Sequence, residues 1–184
     1  MSLPHAILTA LLEKPSSGLE LTRRFDKSIG FFWAATHQQI YRELGKLEQS
    51  GLIRAIPGPP AQGRRKEYEV LPSGREELAA WVARSDEPRA LRDPLALRLR
   101  AAAMVGVGEG SLGAEVRRHL GLHVAQLDAY RAMETRDFPD GKRDSAEAKL
   151  QHLVLQAGIE MERFWTGWLE QVDAVVAELE AEQP

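Results

Sequence analysis

No cysteine occurs in the 184 residues, so disulfide staples, thiolate metal sites and thiol redox sensing have no chemical basis in this chain. Long hydrophobic runs are missing as well. No stretch approaches the roughly 20 apolar residues that span a bilayer, and the opening MSLPHAILTALLEK lacks the basic start and small-residue cleavage site of a signal peptide. A cytoplasmic protein with no membrane partner is the expectation. There is no Gly-rich phosphate loop, no GxSxG and no carboxylate pair on a catalytic frame, which predicts neither enzymatic activity nor a cofactor. An overall excess of positive charge is absent too, the net charge being −3.

That net charge conceals an asymmetry. Residues 1–90 carry 13 Lys and Arg against 11 Asp and Glu, or +2, whereas residues 91–184 carry 11 against 16, or −5. Within residues 36–66 there are six basic and two acidic side chains, or +4. Screening at physiological salt acts beyond about 8 Å, so a polyanion in contact responds to this local surplus rather than to the sum.

The basic segment begins with THQQIYRELGKLEQSGLI, residues 36–53. Ile40, Leu44 and Leu47 fall at i, i+4 and i+7, on one face of a 3.6-period helix. Thr36 and Gln39 have the spacing of a capping box, and Gly51 stands where a left-handed residue ends a helix. Gln38, Arg42, Gly45 and Gln49 lie opposite the apolar stripe, with Lys46 close by and Tyr41 on its shoulder. The flanks complete a small domain. Leu3, Ile7, Leu8, Leu11 and Leu12 predict an amphipathic helix closed by Lys14 and Pro15. A second capping box, Ser17 with Glu20, precedes a helix carrying Leu21, Phe25 and Ile29. LIRAI (52–56) and RKEYEVL (65–71) read as strands around the turn PGPPAQGR. Ser73 with Glu76 suggests a third capping box, opening a helix with Leu78, Trp81 and Val82 inward.

Helix, helix, helix, hairpin, helix is the order of a winged helix-turn-helix, so the expected fold is mainly α with a small β-hairpin wing. The third helix of that fold can enter a major groove and the wing can reach the adjacent backbone. Thr36, His37 and Gln38 are then the candidates nearest the base edges, and Tyr41, Arg42 and Lys46 the phosphate donors. In the wing Gln62, Arg64, Arg65 and Lys66 would follow a phosphate backbone or a minor groove. Each residue alone also suits a solvated, ion-paired surface, and a winged helix can serve as a protein-protein interaction or scaffold module. The co-occurrence of these residues at both points where such a fold touches DNA favours a sequence-specific transcriptional regulator.

GLELTRRF, THQQIYRELGKLEQSGLI and GRRKEYEVLPSGREELAAW resemble the N-terminal domain of PadR transcriptional regulators, with IYRELGKLEQSGL (40–52) the most specific part. Gly18, Glu20, Leu21, Tyr68 and Gly74 are in register, while Leu19 stands where the family usually has an aromatic and Leu71-Pro72 replaces a common threonine. The resemblance implies a homodimeric repressor on a two-fold DNA operator, with a winged domain over residues 1–88 and a helical dimerisation arm over 89–184. It also allows a small aromatic effector.

The C-terminal half predicts helices over 94–105, over 111 to about 136, and from 145 to about 181. In the last, Val154, Met161, Trp168 and Val175 repeat every seven residues. About 35 helical residues span about 50 Å, which favours packing of part of that stripe on a second chain over a single-chain bundle. Phe164, Trp165 and Trp168 are candidates for an effector site, although aromatics at helical spacing more often anchor cores or interfaces. His119 and His123 with Glu115 have a zinc-compatible spacing, but no second ligand cluster accompanies them, and no metal is expected.

Overall fold

Ile7, Leu8, Ala10 and Leu11 are spaced so that one face of a helix can be wholly apolar, and all four are buried in the first helix, α1 (Leu3–Glu13). The description rests on a computed structural model and covers residues 3–26, 33–57, 66–88, 90–106, 111–141 and 144–182. Pro15 cannot continue α1. The next two residues form a short strand, β1 (Ser16–Ser17), and lead into α2 (Gly18–Arg24). Ser17 and Glu20 cap α2 reciprocally. From the last turn of α2 the Arg24 guanidinium donates to the Ala10 carbonyl at 2.6 Å and to the Glu13 carboxylate at 2.7 Å. It thus closes the C-terminus of α1, where carbonyls lack helical partners.

Helix α3 (His37–Gln49) is capped by Thr36 and Gln39 as the spacing predicts, with Thr36 N–H donating to the Gln39 amide oxygen at 2.8 Å. It buries Ile40, Leu44 and Leu47, and Gly51 beyond it takes φ 67°. Strands β2 (Ile53–Pro57) and β3 (Lys66–Val70) pair antiparallel with Ala55 opposite Tyr68. β1 joins the far edge of β3, Ser16 opposite Tyr68, so the sheet order is β1-β3-β2. Two residues between two helices carry no period, which is why the sequence showed a hairpin where a three-stranded sheet stands. Ile29 and the hairpin turn lie outside the described residues.

Helix α4 (Pro72–Val82) departs from expectation at both ends. Leu71, not Ser73, is the N-cap, and it makes no side-chain cap bond. Pro72, with fixed φ and no N–H to satisfy, starts the helix one residue too early for Ser73 to cap it. The Ser73 hydroxyl instead donates to the Gly51 carbonyl at 2.6 Å, tying α4 to the turn after α3. At the other end Val82 is 72% exposed rather than inward. Leu78 packs on the core of α1, α2, α3 and Ile53, while Trp81 stacks on the buried His5 ring at 4.5 Å.

The second unit, residues 89–184, is helical. α5 (Pro94–Val105) starts on an Asp93 cap with Pro94 at its first position, and α6 (Ser111–Asp137) and α7 (Ala146–Ala181) follow. Cross-helix ties run in opposite senses along α6 and α7: Gly113 N–H to Glu180, Arg117 to Asp173 at 3.1 Å, His123 to Glu162, and Glu134 to His152 at 2.6 Å. The two helices are therefore antiparallel. Leu95 of α5 packs with Val116 of α6 and Leu169 of α7, with Trp168 and Val172 against that cluster. The buried line on α7 is His152, Leu155, Ile159, Leu169 and Val176. The seven-residue row divides: Trp168 packs against that cluster, whereas Val154, Met161 and Val175 are exposed in this chain. Among the described residues no helix is long and apolar enough to cross a membrane.

Candidate nucleic-acid interface

Because Ile40, Leu44 and Leu47 anchor α3 to the core, its opposite face is fixed toward solvent. Gln38 and Arg42, one turn apart, are exposed there, and no side-chain hydrogen bond or ion pair holds either of them among the described residues. The other candidates on α3 are differently placed. Thr36 is committed to the cap, its hydroxyl accepting from Gln39 N–H at 3.2 Å. His37 is exposed, but its Nε2 lies 3.1 Å from the Asp26 carboxylate, two residues past the end of α2. Lys46 pairs with Glu43 at 3.0 Å, which is the surface ion pair that its i,i+3 neighbour allows.

Tyr41 is 51% exposed, yet one edge of its ring lies against Gly18 at the start of α2. The nearby Tyr68 phenol on β3 is pushed above its ordinary pKa, first by burial and then by the negative field of Glu48 and by Tyr41. In the wing, Lys66 is exposed at the start of β3, and Arg54 on β2 is neutralised by Glu69 across the strand pair. Gln62, Arg64 and Arg65 lie outside the described residues. The structure thus brings Gln38, Arg42, Tyr41 and Lys46 onto the outward side of one helix, adds Asp26, which the sequence did not single out, and sets Gly18 against Tyr41. Asp26 is eleven residues from His37, and no helical or strand period links such positions.

In the second unit, Trp165 stacks on His123 with ring centroids 5.6 Å apart and meets Phe164 and Trp168 edge-on at 5.2 and 5.5 Å. Phe164 is exposed, whereas Trp168 is partly buried against the α5–α6–α7 cluster. The His123 Nδ1 is 2.5 Å from Glu162, and the Tyr130 phenol is pushed up by burial and by the same Glu162 charge, against a smaller lowering by Gln126. His119 and Arg118 both hold Glu115, whose carboxyl falls to about 2, chiefly through the Arg118 hydrogen bond. The zinc-like spacing is thus occupied by ion pairs.

Residues 7–80 match the Transcriptional regulator PadR-like family, and residues 91–177 match the family described as Virulence activator alpha C-term. A protein of Mycobacterium tuberculosis named a probable transcriptional regulator is 42% identical, over 97% of this chain and 99% of its own. The chain belongs to the PadR-like family of transcriptional regulators. Among solved structures, PadR of Bacillus subtilis in complex with operator DNA superposes with a TM-score of 0.79 at 26% identity, covering 94% of this chain and 97% of that one. The same PadR with p-coumaric acid gives 0.75 at 26% identity, covering 96% and 99%. The Vibrio cholerae virulence activator AphA gives 0.78 at 27% identity, over 98% and 99%. In that fold, α3 is the third helix of a winged-helix domain and the β2–β3 pair its wing.

Proposed function

We propose that this PadR-like chain is a homodimeric, DNA-binding repressor that occupies a two-fold operator and is released by a small aromatic effector. The observation that carries the DNA reading is the pair Gln38 and Arg42, exposed on the one face that α3 turns away from its core and without a side-chain partner among the described residues. Lys46 pairs with Glu43 at i,i+3, whereas Arg42 has Gln38, Gln39, Gly45 and Lys46 at the same spacings and no acidic neighbour among them. Gln38, in the first turn, is positioned to read a base edge, since its amide can bond bidentately to adenine. Arg42, Tyr41 and Lys46 supply phosphate donors, Thr36 and His37 border the entry into the groove, and Lys66 with Gln62, Arg64 and Arg65 extends the contact along the wing. The operator complex of the Bacillus subtilis relative supports the reading that DNA is the partner.

Dimerisation is supported by α7, whose Leu150, Val154, Met161, Phe164 and Val175 stay exposed while a separate line of residues meets α6. Two recognition helices would double the phosphate contacts and give the operator its symmetry. The effector reading rests on the p-coumaric acid complex of the same relative and on the ring group of Phe164, Trp165 and Trp168, of which Phe164 offers an open face. Catalysis is not part of this reading, and the cytoplasm, where operators are, is the expected place of work.

The test is selection of bound fragments from the source genome, followed by affinity measurements on the best fragment at several salt concentrations. A phosphate-based site loses affinity with a log-log slope of about −0.9 per neutralised phosphate. No enriched fragment, or an affinity indifferent to salt, would overturn the reading in favour of a protein-contact module.

A further inference from the structure

We propose that Gly18, which offers no side chain to DNA, is a positioning residue for operator binding: it forms the notch that seats the Tyr41 ring where α2, α3 and β3 meet. The inference rests on the DNA-binding reading above and extends it to a residue that acts only through another.

Gly18 opens α2 directly after the Ser17 cap and is buried. Its φ is not in the left-handed region, where among the described residues only Gly51, Gly106 and Gly141 lie, so its backbone makes no demand for glycine. At a helical position alanine is the better residue. What opposes a methyl group here is the Tyr41 ring alone among the nearest neighbours. A Cβ at Gly18 would lie 3.1 Å from Tyr41 Cδ1 and 3.2 Å from Cζ, and closer still to Cε1. Gly74 shows the contrasting case, since a Cβ there would run into the Leu52 carbonyl, a backbone group that cannot swing aside. At Gly18 the obstacle is a side chain that can.

Three elements converge on this ring. β1 leads into α2 and pairs with β3 so that Ser16 faces Tyr68. Tyr68 in turn feels both Tyr41 and Glu48, two turns apart on α3. The Tyr41 ring therefore lies where the recognition helix meets both the entry to α2 and the wing strand. A half-exposed tyrosine free to change rotamer would have to be ordered on contact with a phosphate, which costs affinity. Seated against Gly18, its hydroxyl is already placed. A methyl at Gly18 is relieved most cheaply by rotating Tyr41 outward, which leaves the fold intact and removes that preorganisation.

The experiment compares wild type, Gly18→Ala, Tyr41→Ala and the double variant for affinity to the best genomic fragment and for thermal midpoint. Gly18→Ala is expected to bind about 5- to 10-fold more weakly with an unlowered midpoint, and the double variant to bind no more weakly than Tyr41→Ala, since neighbouring residues acting through one contact are non-additive. Wild-type affinity in Gly18→Ala, or losses that add in the double variant, overturns the inference. So does a midpoint that falls in Gly18→Ala and is not restored by Tyr41→Ala, because the obstacle would then be backbone. If wild type itself selects no fragment, it is the DNA-binding reading that fails.

Discussion

Gln38 and Arg42 sit one turn apart on the same face of α3, yet their removal should read out differently. An amide in the first turn contributes by matching a base edge, so Gln38→Ala is expected to cost about 1 to 3 kcal/mol on the preferred operator and little on other sequences. Equal weakening on all sequences would reassign Gln38 to phosphate. An exposed guanidinium that no ion pair holds among the described residues contributes charge, so Arg42→Ala should weaken every sequence alike and flatten the salt slope by about 1. An unchanged slope would remove Arg42 from the footprint. Lys46→Ala should flatten it less, because Glu43 at 3.0 Å already holds part of that charge. His37 is in a similar position beside Asp26. The exposed face of α3 was legible in the sequence from Ile40, Leu44 and Leu47, since a 3.6-residue period fixes both faces at once. The pairing of its cations was only half legible: Glu43–Lys46 is a local spacing, whereas Asp26–His37 depends on how two helices meet.

At the scale of elements, the same distinction separates what the sequence revealed from what it hid. Capping boxes are local, so those at Ser17 and Thr36 stand as read. The third failed because Pro72 competes for the helix start, and the winning bond, Ser73 to the Gly51 carbonyl, joins residues 22 apart. The two accounts of Ser73 predict different mutational patterns. A capping box loses stability at either member, but the tie to Gly51 loses it at Ser73 alone. Ser73→Ala is therefore expected to cost about 0.5 to 1.5 kcal/mol in denaturant unfolding, with Glu76→Ala within about 0.5 kcal/mol of wild type. Comparable losses at both positions would restore the box. In the α6–α7 pair, Tyr130 supplies a pH prediction. Burial and Glu162 raise its phenol above the ordinary 10.0, so the folded state favours the neutral form. That contribution is fully present below the unfolded value and is lost as pH rises through the raised one. Tyr130→Phe should accordingly flatten the fall in unfolding midpoint above pH 10, and an unchanged fall would show that the phenol is not the group responsible.

For the whole molecule, the deciding question is what covers α7. Its length was readable from an uninterrupted helical pattern, but which apolar row faces α6 was not, because hydrophobic residues at Leu150, Val154, Leu155 and Ile159 surround much of the helix. The structure resolves this into two rows, one buried on α6 and one open to solvent. Met161 is 57% exposed and lies on the open row, while Ile159, two residues away, is buried at 3%. A carboxylate at each position should then have opposite consequences. Ile159→Glu places a charge inside the helix pair without a partner and should unfold the second unit. Met161→Glu leaves that pair untouched, so helical content and thermal midpoint at high dilution should match wild type, whereas a self-complementary apolar interface would bury two copies of the new charge. Loss of about 2 kcal/mol or more of association free energy, roughly 30-fold in the dimer dissociation constant, is expected by sedimentation equilibrium. Operator affinity should fall with it, since one protomer holds one half-site. A Met161→Glu protein that dimerises as wild type does would move the interface off this row of α7, and one that is monomeric yet binds the full operator undiminished would separate DNA binding from dimerisation altogether.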